Sequence, residues 1–119
     1  SKHICMVIGI NNYGDTEEDI SSGVVELAKL IRQRQPEAQL HVIKIYPAKG
    51  REEKVARINQ LIEQKLPIDD HTDLVDLTDY LTLKDGSGKI DPAYFVEGLH
   101  PNAKGYEQIA KGLKKVLKP

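Results

Sequence analysis

Ile4-Cys5-Met6-Val7-Ile8-Gly9-Ile10 is a short, continuous apolar run, and a run of this kind reads as a strand buried on both faces of a parallel sheet. It stops at the turn-rich Asn11-Asn12-Tyr13-Gly14. Thr16 with Asp19 resembles a capping box, and Ile20, Val24, Leu27, Ala28 and Ile31 follow at helical spacing until Pro36 closes the segment. Leu40 to Tyr46, LHVIKIY, alternates as a second strand, and Pro47 to Gly50 form the loop after it. Val55, Ile58, Leu61 and Ile62 mark a second helix, with Arg51, Glu52 and Glu53 in or near its first turn. Leu74 to Leu77 reads as a short third strand. Thr78 to Phe95 is irregular, with a turn at Asp85-Gly86-Ser87-Gly88. Tyr106, Ile109, Ala110, Leu113, Val116 and Leu117 give a last helix an apolar stripe. Strand and helix alternating three times predict an α/β fold: a flavodoxin-like, three-layer unit of about three parallel strands between helices.

A chain of 119 residues accommodates a single domain, 1–119, with one modest core. Seventeen basic against eighteen acidic residues leave a net charge of −1, which gives no electrostatic reason to expect nucleic acid or an anionic membrane as partner. The lysines at 104, 111, 114, 115 and 118 cluster on the last helix, where a solvated face and the helix dipole explain them. No apolar run is long enough for a transmembrane segment, and no signal peptide is visible. A lone Cys5 excludes an internal disulfide and leaves the redox compartment and the localisation open, with a lean to a reducing, cytoplasmic one.

The chemistry concentrates near the end, in Glu97-Gly98-Leu99-His100-Pro101-Asn102-Ala103-Lys104-Gly105-Tyr106. An acid and a histidine three apart can approach across one turn, so that the carboxylate fixes the ring's tautomer and stabilises its protonated form. The same residues also suit a helix entry, with Pro101 at the start and Asn102 as N-cap. In parallel sheets, ligands bind at the carboxyl ends of the strands. Gly9-Ile10-Asn11-Asn12 falls at that edge, where a glycine N–H and a neighbouring Asn side chain can serve as oxyanion donors.

EGLHPNAKGY resembles the last block of the SGNH, or GDSL, serine esterases, commonly D-G-L-H-P-N-x-x-G-Y; Glu97 stands where Asp is usual, its carboxylate one methylene further out. GINN resembles the G-x-N-D block of the same family. Asn12 in place of its Asp is a feature of the branch containing the intracellular platelet-activating factor acetylhydrolase catalytic subunits. The likeness to that branch continues through EEDISSGVVELAKLIRQRQPEAQLHVIKIYP, and in all it runs from Met6 to Leu117. It implies an ester hydrolase acting on a small acyl ester, an acetylated lipid or carbohydrate, with no metal or organic cofactor. His100 would be the general base toward a serine and Glu97 its orienting acid. Gly9 and Asn11 would hold the oxyanion, with Asn12 behind them.

The family's G-D-S block, which carries the nucleophile, lies upstream of G-x-N-D, so the resemblance implies a C-terminal portion lacking the first βαβ part and inactive by itself. Gly14-Asp15-Thr16 imitates that block, but Thr16 suits a helix N-cap. Ser21 and Ser22 lie in a helix, Ser87 in a turn, and Cys5 in the core, about 13 Å from the site at the strand rise of ~3.3 Å per residue. Asp69, Asp70 and His71 read as a solvated loop and not a metal cluster. Lys89 breaks the calcium-loop pattern of Asp85, Ser87 and Asp91. His3 and His41 have no partner visible in the sequence and read as ordinary strand-flanking residues. A phosphate-binding or receiver domain lacks its Gly-rich loop and its acidic cluster here. The rival reading is a noncatalytic module of the same fold. In either case ICMVIGI, deprived of a neighbour, predicts a homodimer or association with a chain that supplies the missing strands.

Overall fold

The structure, a computed structural model, describes residues 2–7 and 15–117. Strand β1 (His3–Val7) leads, followed by helix α1 (Glu17–Arg34), strand β2 (Gln39–Ile43), helix α2 (Glu52–Lys65) and strand β3 (Thr72–Val75). Two 3-10 turns, Thr78–Tyr80 and Pro92–Tyr94, precede a short hairpin of β4 (Phe95–Val96) and β5 (His100–Pro101), and helix α3 (Ala103–Val116) closes the fold. Strands β1, β2 and β3 pair in that order and all in parallel, with Cys5 opposite His41 and His41 opposite Asp73.

Helix α1 begins where Thr16 Oγ1 accepts the Asp19 N–H at 3.1 Å, and three acids fill its first turn against the positive end of the dipole. Successive strand residues face opposite sides of the sheet, so each strand feeds two cores. Met6, Leu40 and Val42 join Val24, Ala28, Ile58 and Ile62 beneath α1 and α2. Ile43 turns the other way, to Leu77, Leu81, Phe95 and Ile109 on the α3 side. Three layers result, as the alternating pattern predicts. Ion pairs bind α1 to α2 at their solvent faces, Arg57 to Glu17 at 2.6 Å and Lys65 to Glu18.

Several expectations shift in detail. Strand β3 runs from Thr72 rather than Leu74, and β2 stops at Ile43. Beyond that point Asn59 of α2 takes over as the strand's partner. Its Nδ2 donates to the Ile45 carbonyl and its Oδ1 accepts the Ile45 N–H, both at 2.9 Å, in a buried setting where water could not satisfy either group. Cys5 is half-buried rather than core. On α3 the apolar stripe is only partly covered: Ile109 is buried, whereas Tyr106 is 57% exposed. No helix among the described residues is long and apolar enough to cross a membrane.

Candidate active site

The candidate acid and base sit on the β4–β5 hairpin. Val96 pairs with His100 and Phe95 with Pro101. Between them the Leu99 N–H returns to the Val96 carbonyl at 3.0 Å, while Glu97 (φ 53°) and Gly98 (φ 75°) both adopt the left-handed region. Two successive positive φ values are the signature of the tight turn that matches strand twist. Glu97 is the one non-glycine residue with positive φ among those described.

Two neighbours hold this hairpin at the carboxyl edge of the sheet. The Lys49 N–H, in the loop after β2, donates to the Gly98 carbonyl at 2.7 Å. A Cβ at Gly98 would lie 2.6 Å from Lys49 Cβ, so only glycine permits that approach. The Lys49 loop is in turn held through Ile45 by Asn59, which links α2 to the hairpin. On the far side, Asn102 caps α3 by accepting the Gly105 N–H at 2.9 Å. Its Nδ2 also donates to the Ala93 carbonyl at 2.9 Å, and its N–H to that of Tyr94 at 2.9 Å. Gly105 packs so tightly on this corner that an added Cβ would fall 2.3 Å from the Tyr94 carbonyl oxygen and 2.9 Å from Pro101 Cβ. The Pro-Asn-x-x-Gly portion of the motif therefore does structural work in aiming His100.

Both candidate side chains are exposed, and among the described residues neither Glu97 nor His100 has a hydrogen-bond or ion-pair partner. They share one turn without an ion pair between them. An open groove of about 600 Å³ runs beside the hairpin, lined by Lys49, Leu83, Ile90, Phe95, Glu97 and Gly98. Its lining mixes apolar and charged side chains and includes Glu97 but not His100; such a mixture suits a small amphipathic ligand. Gly9, Asn11 and Asn12, the expected oxyanion donors and the residue behind them, lie outside the described residues. No group of three or more His, Cys, Asp or Glu among the described residues could hold a metal ion.

The loop acids behave as turn residues. Asp69 Oδ1 accepts the His71 N–H at 2.8 Å, and this backbone bond holds the Asp69 carboxyl below its usual range. Asp85 is held low by Ser87, first through its side-chain hydroxyl and then through its N–H, which Asp85 Oδ1 accepts at 2.9 Å. His3 and His41 overturn their sequence reading as ordinary strand-flanking residues. His41 is buried within β2, with Nδ1 2.7 Å from Asp73 Oδ1 and Nε2 2.9 Å from His3 Nδ1. Parallel pairing brings together residues more than thirty positions apart, and no local spacing announces it. The roles of Lys49 and Asn59 were equally hidden, since both act through backbone groups of distant segments.

No family model matches the chain. Curated relatives do. The rat (Rattus norvegicus) platelet-activating factor acetylhydrolase IB subunit alpha2 is 28% identical over 120 aligned positions, covering 98% of this chain and 52% of the relative. The chain thus spans about half the length of the curated relatives it matches. Among solved structures, one from Streptococcus pneumonia, described as a platelet activating factor, superposes with a TM-score of 0.82 at 23% identity, covering 98% of this chain and 60% of that one. A GDSL-like lipase from Bacteroides thetaiotaomicron gives 0.70 at 18% identity, covering 94% and 60%. The chain's homologues are therefore acetylhydrolase subunits of this type, and its three-stranded parallel unit shares the fold of GDSL-like hydrolases.

Proposed function

We propose that the chain is the acid–base portion of an SGNH/GDSL-type ester hydrolase. The observation that carries this reading is a likeness to acetylhydrolase subunits over 98% of a chain whose Glu-x-x-His turn is fastened at the carboxyl edge of a parallel sheet. In this reading His100 takes the proton of a serine hydroxyl as it attacks the acyl carbonyl, then returns it to the departing alcohol. Glu97 swings toward the ring, orients it and balances its positive charge. Gly9 and Asn11 donate to the oxyanion, supported by Asn12. The substrate class is a small acyl ester, an acetylated lipid or carbohydrate, seated in the groove beside the hairpin. None of these steps calls for a cofactor.

The serine comes from outside these 119 residues. The chain alone should hydrolyse p-nitrophenyl acetate no faster than a surface imidazole and should resist labelling by a fluorophosphonate. Fused behind the amino-terminal part of a GDSL-like lipase, it should gain labelling that His100→Ala abolishes. Labelling of the chain alone, or labelling of the fusion that is indifferent to His100, would refute the assignment.

A second reading, a noncatalytic module that associates through its first strand, is favoured by one observation: among the described residues β1 pairs with β2 alone, and its Val7 is 45% exposed. Both readings expect a second copy or a strand-supplying chain at this edge. Sedimentation at micromolar concentration tests it. A homodimer that Val7→Lys makes monomeric fits pairing between copies; a stable monomer that also captures no strand-bearing partner rules both forms out.

A further inference from the structure

We propose that His3, His41 and Asp73 form a proton-counting latch that holds strand β1 on the sheet and releases it in acid. The three side chains form a hydrogen-bonded row across the three strands: Asp73 is the register partner of His41, and His3 reaches His41 diagonally from two residues before Cys5. The imidazole planes of His3 and His41 are within 8° of one another, with centroids 5.2 Å apart. With Nδ1 of one 2.9 Å from Nε2 of the other, the rings meet edge to edge in one plane and not face to face.

Proton bookkeeping follows from the donors and acceptors. A carboxylate only accepts, so His41 Nδ1 carries the hydrogen it gives to Asp73. In the neutral chain His41 Nε2 is then a lone pair and accepts from the Nδ1–H of His3. One further proton can be added on the outer Nε2 of the exposed His3 with both hydrogen bonds intact. A second, on His41 Nε2, would set two N–H groups head to head across 2.9 Å. The rings must then part, and with them the side-chain link between β1 and its sole described neighbour in the sheet.

The Asp73 carboxylate, 2.7 Å from His41 Nδ1, balances one positive charge on the pair but does not remove the clash of two facing N–H groups. On β1, the Cys5 thiol is pushed up by burial and then by the Asp73 carboxylate, so it stays neutral. Lys2 at the start of the strand donates to Gln35 Oε1 at 3.4 Å. On β3, Asp73 is already engaged. The last turns of α3, the helix covering this face, carry only Lys111, Lys114 and Lys115, the last over the Tyr80 ring at 5.8 Å.

The sign is fixed by linkage. The unfolded chain takes two protons on these rings and the latched fold only one, so stability falls as pH falls. The limiting effect is a tenfold loss in the folding equilibrium constant per pH unit below about pH 6.5, where a free imidazole titrates. The inference stands on the sheet alone and is independent of ester chemistry.

Urea unfolding of the chain and of two variants at about pH 7.5 and about pH 5.5, around the imidazole range, tests it, together with amide protection of β1. The wild-type folding constant should drop on the order of tenfold, and β1 should lose protection before β2 and β3. In His3→Gln the amide oxygen can accept from a protonated His41, so the drop should shrink to about twofold or less. His71→Gln, which removes an imidazole from the loop before β3, should keep the full drop. An undiminished drop in His3→Gln, a flat wild-type response, or β1 protection that tracks β2 and β3 would overturn the latch.

Discussion

Replacing Gly105 by alanine should destabilise the protein, whereas the same substitution at Gly23 should stabilise it. Both glycines are helical, and alanine is the better helix former by about 1 kcal/mol. At Gly23 of α1 nothing lies within 4 Å of the added Cβ, so the propensity gain of about 0.5–1 kcal/mol should appear almost undiminished. At Gly105 the Cβ would meet the Tyr94 carbonyl oxygen at 2.3 Å, more than an ångström inside ordinary contact, and that oxygen belongs to the backbone. The same oxygen accepts the Asn102 N–H at 2.9 Å. Relief therefore requires α3 to back away from the hairpin, at about 1–3 kcal/mol for overpacking and about 1 kcal/mol for the strained hydrogen bond. After the propensity gain, a net loss of about 1–3 kcal/mol remains. Equilibrium urea unfolding at neutral pH measures both variants, and the His100 ring resonances should shift in Gly105→Ala and stay put in Gly23→Ala. Equal displacements of the two midpoints in one direction would refute the claim that Gly105 is a packing glycine which aims the hairpin.

Asn59→Ala should cost about 2–4 kcal/mol, since it strands the buried Ile45 N–H and C=O together. Asn59→Asp should be no better, because a carboxylate cannot donate to the Ile45 carbonyl; a midpoint within error of wild type for either variant would contradict the clamp. Asp69 and Asp85 are held below the usual carboxylate range in the fold, so each contributes stability that is present above about pH 3.9 and lost as pH falls through the lower folded value. Both are exposed, so the effect is small, and Asp69→Asn with Asp85→Asn should flatten the acid limb of a stability–pH curve; an unchanged limb would argue against it.

Much of this architecture was legible because it is written in local patterns. The apolar run at β1, the Thr16 cap with the helical spacing behind it, and Asn102 ahead of α3 each declare an element through a physical preference of a few neighbouring residues. Three alternations of strand and helix then leave little choice but a parallel sheet. The β4–β5 hairpin escaped notice because its strands are two residues each, too short to show any period, and its turn has Glu97 where Asn or Gly would have signalled it. The offset of β3 has a similar origin: Thr72 and Asp73 are polar, and their strand conformation comes from pairing with Leu40 and His41. As for the site, the motif led directly to the turn bearing Glu97 and His100 and to its Asn102 cap, but the contacts of Lys49 and Asn59 that hold the turn engage backbone groups reached across the fold. Side-chain patterning carries no record of them.

The left-handed φ of Glu97 sets folding against chemistry at a single residue. An L-residue held there costs on the order of 1 kcal/mol relative to glycine because its Cβ crowds the backbone carbonyl, so a chain optimised only to fold would put Gly or Asn at position 97. Glu97→Gly should accordingly raise the unfolding midpoint while deleting the proposed acid. A hydrolase assembled around the Glu97→Gly chain would be sturdier and slower, its His100 left to find its orientation unaided. Resilience and turnover would thus be traded through one backbone angle, at the position where the carboxylate leaves the hairpin.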